Sequence, residues 1–205
     1  MSSRRALLES LLSRLPSAFQ EVEYIESSGT QYIDTDVNVN NNLRVVSRFN
    51  VTQNADNCIF GGRLSTNDSQ FCFLKLPSNP YEFRTDYGNT TGYKFGGNVN
   101  TWYKIDKDKN ITYLDDQVIH TDNVQTFNTN IPLYIFARNT NGTINAYAYL
   151  QIAYLQIYDN GTLVRDFIPC YRKSDNEIGL YDLVNGVFYT NAGTGTFTKG
   201  GNVWQ

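Results

Sequence analysis

From Phe19 onward, apolar residues recur at every second position over short runs broken by Asn, Asp, Ser and Gly. That period of two is the mark of half-buried strands. Leu43-Arg-Val-Val-Ser-Arg-Phe-Asn-Val alternates imperfectly, as expected where one face packs and the other is wet. The pattern predicts strands over Glu21–Glu26, Gln31–Val39, Leu43–Val51, Cys58–Gly62 and Gln70–Leu76. It continues through Glu82–Tyr87, Trp102–Asp106, Ile111–Leu114 and Val118–Thr121. The last set is Leu133–Ala137, Ala146–Tyr158, Leu163–Phe167, Ile178–Tyr181 and Val187–Tyr189. Ser27-Ser28-Gly29, Asp115-Asp116, Asn160-Gly161 and Asn185-Gly186 read as hairpin turns between neighbouring runs. Many short strands with regular turn signals give a β-sandwich.

The first fifteen residues differ. Leu7, Leu8, Leu11, Leu12 and Leu15 fall on one stripe of a helix, with Ser10 and Ser13 away from it. Ser2 or Ser3 caps this helix and Pro16 ends it. Glu9 and Arg14 interrupt the apolar centre that a signal peptide needs, and no small-residue cleavage site follows. A helix of about four turns is marginal alone, so the stripe requires a partner surface. Its own sandwich is one candidate. A larger assembly or sister copies of the chain are the favoured one, because a sandwich closes its own core.

Composition narrows the class. The hydrophobic fraction is 40% and the charged fraction 18%, which excludes a disordered chain. No run is long and apolar enough to insert in a membrane. Fifteen Tyr and twelve Phe suit pleated surfaces. A net charge of −3 with no Lys/Arg run argues against nucleic-acid binding. Cys58, Cys72 and Cys170 are odd in number and irregularly spaced, so they read as buried free thiols rather than bridges or zinc ligands.

Two blocks carry a resemblance. Tyr24-Ile-Glu-Ser-Ser-Gly-Thr-Gln-Tyr-Ile-Asp-Thr35 opens the strand-rich region. Leu163-Val-Arg-Asp-Phe-Ile-Pro-Cys170 and Gly179-Leu-Tyr-Asp182 close it, before a Gly-rich tail from Gly193. From about Leu15 to Thr198 the chain resembles concanavalin A-like (LamG-type) jelly-roll domains of tailed-bacteriophage virion proteins and bacterial surface proteins. The resemblance implies an all-β, concanavalin A-like jelly-roll sandwich over residues 16–205, including a C-terminal hairpin at 178–198. The short amphipathic helix of residues 1–15 becomes an attachment or oligomerisation arm. It further implies a virion structural protein, assembled in the host cytoplasm, that joins capsid or tail proteins through the arm and displays a lectin-like domain. The alternative is an adhesion module recognising a host-surface glycan.

Glu21-Val-Glu-Tyr-Ile-Glu approaches the catalytic strand of retaining glucanases, which need two carboxylates about 5 Å apart. The middle residue is Glu23 rather than Asp, and the block sits in the opening signature, so a solvated acidic strand is the better reading. His120 is the single histidine and ends a strand with no nucleophile motif beside it. Asp34 with Asp36, Asp106 with Asp108, and Asp115 with Asp116 form no recognisable calcium loop and read as turn residues. The expectation is therefore no enzyme, no metal and no cofactor. Tyr81, Tyr87, Tyr93 and Trp102, in the turn-rich middle section, are the candidates for stacking on sugar rings.

Overall fold

A computed structural model describes residues 14–90 and 92–203 as nineteen strands, with inward apolar and outward polar residues alternating most plainly over Ile33–Asn40. The first are β1 (Phe19–Glu21), β2 (Ile25–Ser28), β3 (Ile33–Asn40), β4 (Leu43–Val51) and β5 (Asn57–Arg63). Next come β6 (Gln70–Leu76), β7 (Glu82–Gly88), β8 (Tyr93–Gly96), β9 (Trp102–Asp108) and β10 (Ile111–Leu114). β11 (Gln117–Thr121), β12 (Asn128–Ile135), β13 (Arg138–Thr140) and β14 (Thr143–Asn145) follow. β15 (Tyr149–Asp159), β16 (Thr162–Arg172), β17 (Ile178–Asp182), β18 (Val187–Tyr189) and β19 (Thr198–Lys199) complete the chain.

The larger sheet runs β11-β10-β9-β4-β15-β16-β17-β18, with β2 on β15, β19 on β2 and β1 on β16. The smaller runs β14-β13-β5-β6-β7-β8, with β12 pairing both β5 and β3. Among the described residues every pairing is antiparallel except that of β5 with β13. Two sheets face to face make an all-β sandwich, an arrangement that fits a jelly roll. The helix expected over residues 1–15 falls almost wholly outside the described residues, as do Leu7, Leu8, Leu11 and Leu12.

Phe49 of the larger sheet meets Phe73 and Phe83 of the smaller one, each at 5.7 Å between ring centroids, and those two lie 5.3 Å from each other. All three are fully buried. A buried phenyl ring contributes about 1.5–3 kcal/mol, so this cluster anchors the two layers to each other. Phe83, Thr85 and Tyr87 share the inward face of β7. That alternation corrects one expectation: Tyr87 is 1% exposed, its ring packed against Phe127, and it cannot stack on a sugar. Its hydroxyl donates to the Asn41 carbonyl at 3.2 Å.

The Ser-Ser-Gly turn is a second correction. It does not join a hairpin, because β2 belongs to the larger sheet and β3 to the smaller. The turn closes through a side chain instead of a ladder. Buried Gln31 accepts at Oε1 from Ser27 Oγ (3.0 Å) and Ser28 N (2.9 Å), and its Nε2 donates to Thr196 O at 2.9 Å. The glycine-rich tail is thereby tied over the crossover, and β19 then adds to the edge of β2. The single strand expected over Glu21–Glu26 also divides. β1 follows β16 and β2 follows β15, with Val22 bridging to Asn202 in between.

The other turns behave as read. Asp115 and Asp116 both have positive φ (48° and 64°), as do Asn160 and Gly161 (48° and 81°), the geometry of tight two-residue hairpins. β17 and β18 extend the larger sheet beyond β16, so the C-terminal hairpin is an integral part of the sandwich.

Candidate functional site

The outer face of the smaller sheet carries a cluster of charged side chains. Phe71 and Phe73 of β6 point into the core, so Gln70, Cys72 and Leu74 point outward. On β7 the same alternation turns Arg84 and Asp86 outward, opposite Phe83 and Tyr87. Gly61 of β5 lies against the Cys58 and Cys72 side chains. A Cβ there would stand 2.8 Å from Cys58 Sγ and 2.9 Å from Cys72 Sγ, so no larger residue fits without displacing them. Arg63 closes one end of β5, and the parallel pairing with β13 sets Arg138 across from Gly61. Arg63, Gln70, Arg84, Asp86 and Arg138, with Asp56 and Lys94, border a cleft of about 410 Å³. That is the size of a small-molecule site.

Its charges divide into paired and unpaired. Arg84 Nη2 donates to Asp86 Oδ2 at 2.8 Å, and Nε lies 2.8 Å from Oδ1 in ion contact without an aligned hydrogen bond. Burial alone would pull the Arg84 pKa down, but the Asp86 carboxylate outweighs it and holds it above the usual value. Lys94 stands 3.6 Å from Glu82.

Arg63 and Arg138 are only 9% and 8% exposed, and neither has a carboxylate partner among the described residues. Each is oriented through Nε by a neutral acceptor, Thr140 Oγ1 at 3.0 Å and Asn145 Oδ1 at 2.8 Å. Burial, and then the neighbouring Arg138, push the Arg63 pKa below its ordinary value. The thiols beneath are inert as nucleophiles, because burial pushes Cys72 up to about 12 and Cys58 well up. What remains is a pocket rich in fixed donors, with the Asp86, Asp56 and Gln70 oxygens as acceptors.

The residues singled out in the sequence lie elsewhere and apart from one another. Tyr81 is exposed with the Lys75 ammonium 5.0 Å from its ring centroid. Tyr93 stacks parallel on His120 at 4.1 Å, and His120 Nε2 lies 3.3 Å from Asp122 Oδ1. Trp102 is half-buried on the outer face of the larger sheet, 5.9 Å from the Tyr24 ring and 5.7 Å from the Arg48 guanidinium. Tyr87 is in the core. Leu15 packs with Ile168, Cys170 and Tyr181 of its own sandwich. Glu21 pairs with Arg14, Glu23 accepts from Gly201 N, and Glu26 accepts from Gln151. Among the described residues no three His, Cys, Asp or Glu side chains gather in a metal-holding group.

Sequence reasoning missed the arginines. One signal for them was present: Arg84 and Asp86 alternate with Phe83 and Tyr87, which puts an ion pair on the outward face of a strand whose other face is core.

No family model matches the chain, and no curated protein matches it. Among solved structures it is similar to a native heptameric SAP-like pentraxin from Limulus polyphemus, at 10% identity and a TM-score of 0.41, over 68% of this chain and 74% of that one.

Proposed function

We propose that this chain is a non-enzymatic, lectin-like recognition module of the concanavalin A-like jelly-roll class, and that the arginine cleft is its saccharide site. The observation that carries the reading is the cleft itself. Sugar hydroxyls both donate and accept hydrogen bonds, and the cleft presents fixed donors (Arg63, Arg84, Arg138) beside fixed acceptors (Asp86, Gln70) in about 410 Å³. The supporting expectation from sequence is a lectin-like domain.

The test is titration with a panel of mono- and oligosaccharides, followed by calorimetry and NMR. Arg63→Gln is expected to weaken the best ligand at least tenfold, about 1.4 kcal/mol. Trp102→Ala, on the opposite face of the sandwich, is expected to leave affinity within a factor of two. The reverse pattern would move the site to the Trp102–Tyr24–Arg48 surface and overturn the reading.

We also propose that the module is displayed on the virion of a tailed bacteriophage, attached to a capsid or tail protein or to sister chains through Leu7, Leu8, Leu11 and Leu12. The resemblance of the two sequence blocks and the leucine stripe support this. Because Leu15 belongs to a buried cluster of the sandwich, the informative truncation ends at Ser13. Light scattering is expected to show an oligomer for the full chain and a monomer for the truncated one. Equal masses would refute self-association through the arm, leaving a different partner to be sought by incorporation into particles.

A further inference from the structure

We infer that the cleft takes the anionic group of an acidic saccharide, a carboxylate or a sulfate ester, between the guanidinium groups of Arg63 and Arg138. This rests on the reading of the cleft as a saccharide site and names the class of ligand it selects.

Charge is the first argument. Arg63, Arg84, Arg138 and Lys94 line the cleft against Asp56 and Asp86, four positive groups to two negative, so +4 − 2 = +2. The whole chain carries −3. A protein that is negative overall thus concentrates positive charge in one concavity. The pairing sharpens the point. Arg84 is neutralised by Asp86 and Lys94 faces Glu82. Arg63 and Arg138 are left, and Asp56 forms an ion pair with neither among the described residues.

Burial is the second argument. Buried charges in folded proteins are paired, because an isolated ion taken out of water carries a large desolvation penalty. Here the residues Arg63 and Arg138 are each more than nine-tenths buried, and Arg138 lies close enough to disfavour the charge on Arg63. Such an arrangement is stable only at a cost, and an anion between them removes that cost.

Orientation is the third. Thr140 and Asn145 fix the Nε edge of each guanidinium. The terminal nitrogens of Arg138 have no hydrogen-bond acceptor among the described residues, and those of Arg63 have only Gln70 Oε1 at a long 3.5 Å. These free edges suit the two oxygens of a carboxylate or sulfate, which guanidinium binds bidentately. A neutral sugar would leave both charges uncompensated.

The experiment uses the full chain with glucuronic acid and galacturonic acid, their neutral counterparts glucose and galactose, and inorganic sulfate. Binding is followed by the NMR signals of the Arg63 and Arg138 Nε–H groups and by calorimetry. The acids are expected to bind at least tenfold more tightly than their neutral counterparts, to shift both arginine signals, and to weaken as salt is added. Arg138→Gln is expected to lower affinity for the acids at least tenfold. Arg63→Gln provides the same reading if the first variant does not fold. An acid affinity unchanged in both variants would overturn the inference, since the anion would then be bound elsewhere. If the neutral sugars shift the arginine signals and the acids do not, anion selection falls while the saccharide site stands. A response to sulfate alone would overturn the saccharide reading and with it the acidic-saccharide ligand. No response to any probe would overturn both.

Discussion

Replacing Asp182 with alanine is expected to destabilise the protein by about 3–5 kcal/mol, the range for removing one member of a buried charge network. Asp182 is fully buried at the end of β17. Its Oδ1 accepts from Asp166 N at 2.9 Å and from Val184 N at 3.0 Å, so one oxygen joins β16 to the turn that leads into β18. Oδ2 makes no hydrogen bond among the described residues but lies 3.7 Å from Arg165 Nε, close enough to compensate that charge. Arg165 in turn donates to Thr35 O at 2.9 Å and so reaches across to β3. Alanine would leave two backbone N–H groups without an acceptor and the guanidinium without its counter-charge. For a domain of this size the loss corresponds to a melting temperature lower by roughly 6–20 °C. Asp182→Asn keeps an acceptor oxygen and removes the charge, so its cost should be smaller, about 1–2 kcal/mol. Urea unfolding of the two variants separates geometry from charge. A loss below about 1 kcal/mol for the alanine variant would mean that the carboxylate does not hold this corner together.

Both recognisable sequence blocks prove to be framework. Gln31 stitches the first block to the C-terminal tail, and Asp182 stitches the two halves of the second block to each other. They identify a way of closing a sandwich, which is why they resembled a fold class, and they do not line the cleft. Strands marked by a local apolar run between turn signals were legible. Gln70–Leu76, Ile111–Leu114 and Val187–Tyr189 have the expected ends.

Strands defined by their partners were not. Arg138-Asn-Thr140 and Thr143-Ile-Asn145 are short and polar, and they are extended because β13 lies along β5. The first half of β12, Asn128–Asn130, has no apolar pattern and pairs with β3 through an irregular register. The same non-local pairing hid the cleft. Arg63 and Arg138 are distant in the chain, and only the parallel β5–β13 contact brings them to one place. The aromatic residues drew attention for their chemistry. Local pattern could not divide Tyr87, which faces the core, from Tyr81 and Tyr93, which face water.

Replacing Lys107 with methionine is expected to stabilise the protein by about 1–3 kcal/mol at pH 7, the scale on which apolar groups replace buried charges. Lys107 lies on the inward side of β9 and is fully buried. Its ammonium donates to Thr85 Oγ1 at 2.7 Å, with Thr112 Oγ1 at 3.4 Å, and sits 5.2 Å and 5.5 Å from the Phe71 and Tyr87 ring centroids. Among the described residues no carboxylate makes an ion pair with it, and Asp122 and Asp86 act only from a distance. Burial therefore wins and pulls its pKa from 10.5 down to about 8. The corresponding penalty on the charged form is on the order of 3 kcal/mol.

A base whose folded pKa is depressed weakens the fold fully below about pH 8, and that handicap fades as pH climbs towards 10.5, where the unfolded chain also loses its proton. Methionine has similar reach and no charge, and Thr85 and Thr112, 2.9 Å apart, can satisfy each other once the ammonium is gone. The advantage of the variant should accordingly be largest near neutral pH and shrink between pH 8 and 10.5. The difference between variant and wild type is the quantity to follow. The buried thiols Cys72 and Cys170, pushed up to about 12, act in the opposite sense over the upper part of this range, and that effect is common to both proteins. A methionine variant less stable than wild type at pH 7 would mean that the two ring faces and the threonine hydroxyls compensate the cation more strongly than burial opposes it. The charge at the centre of the sandwich would then stabilise the fold.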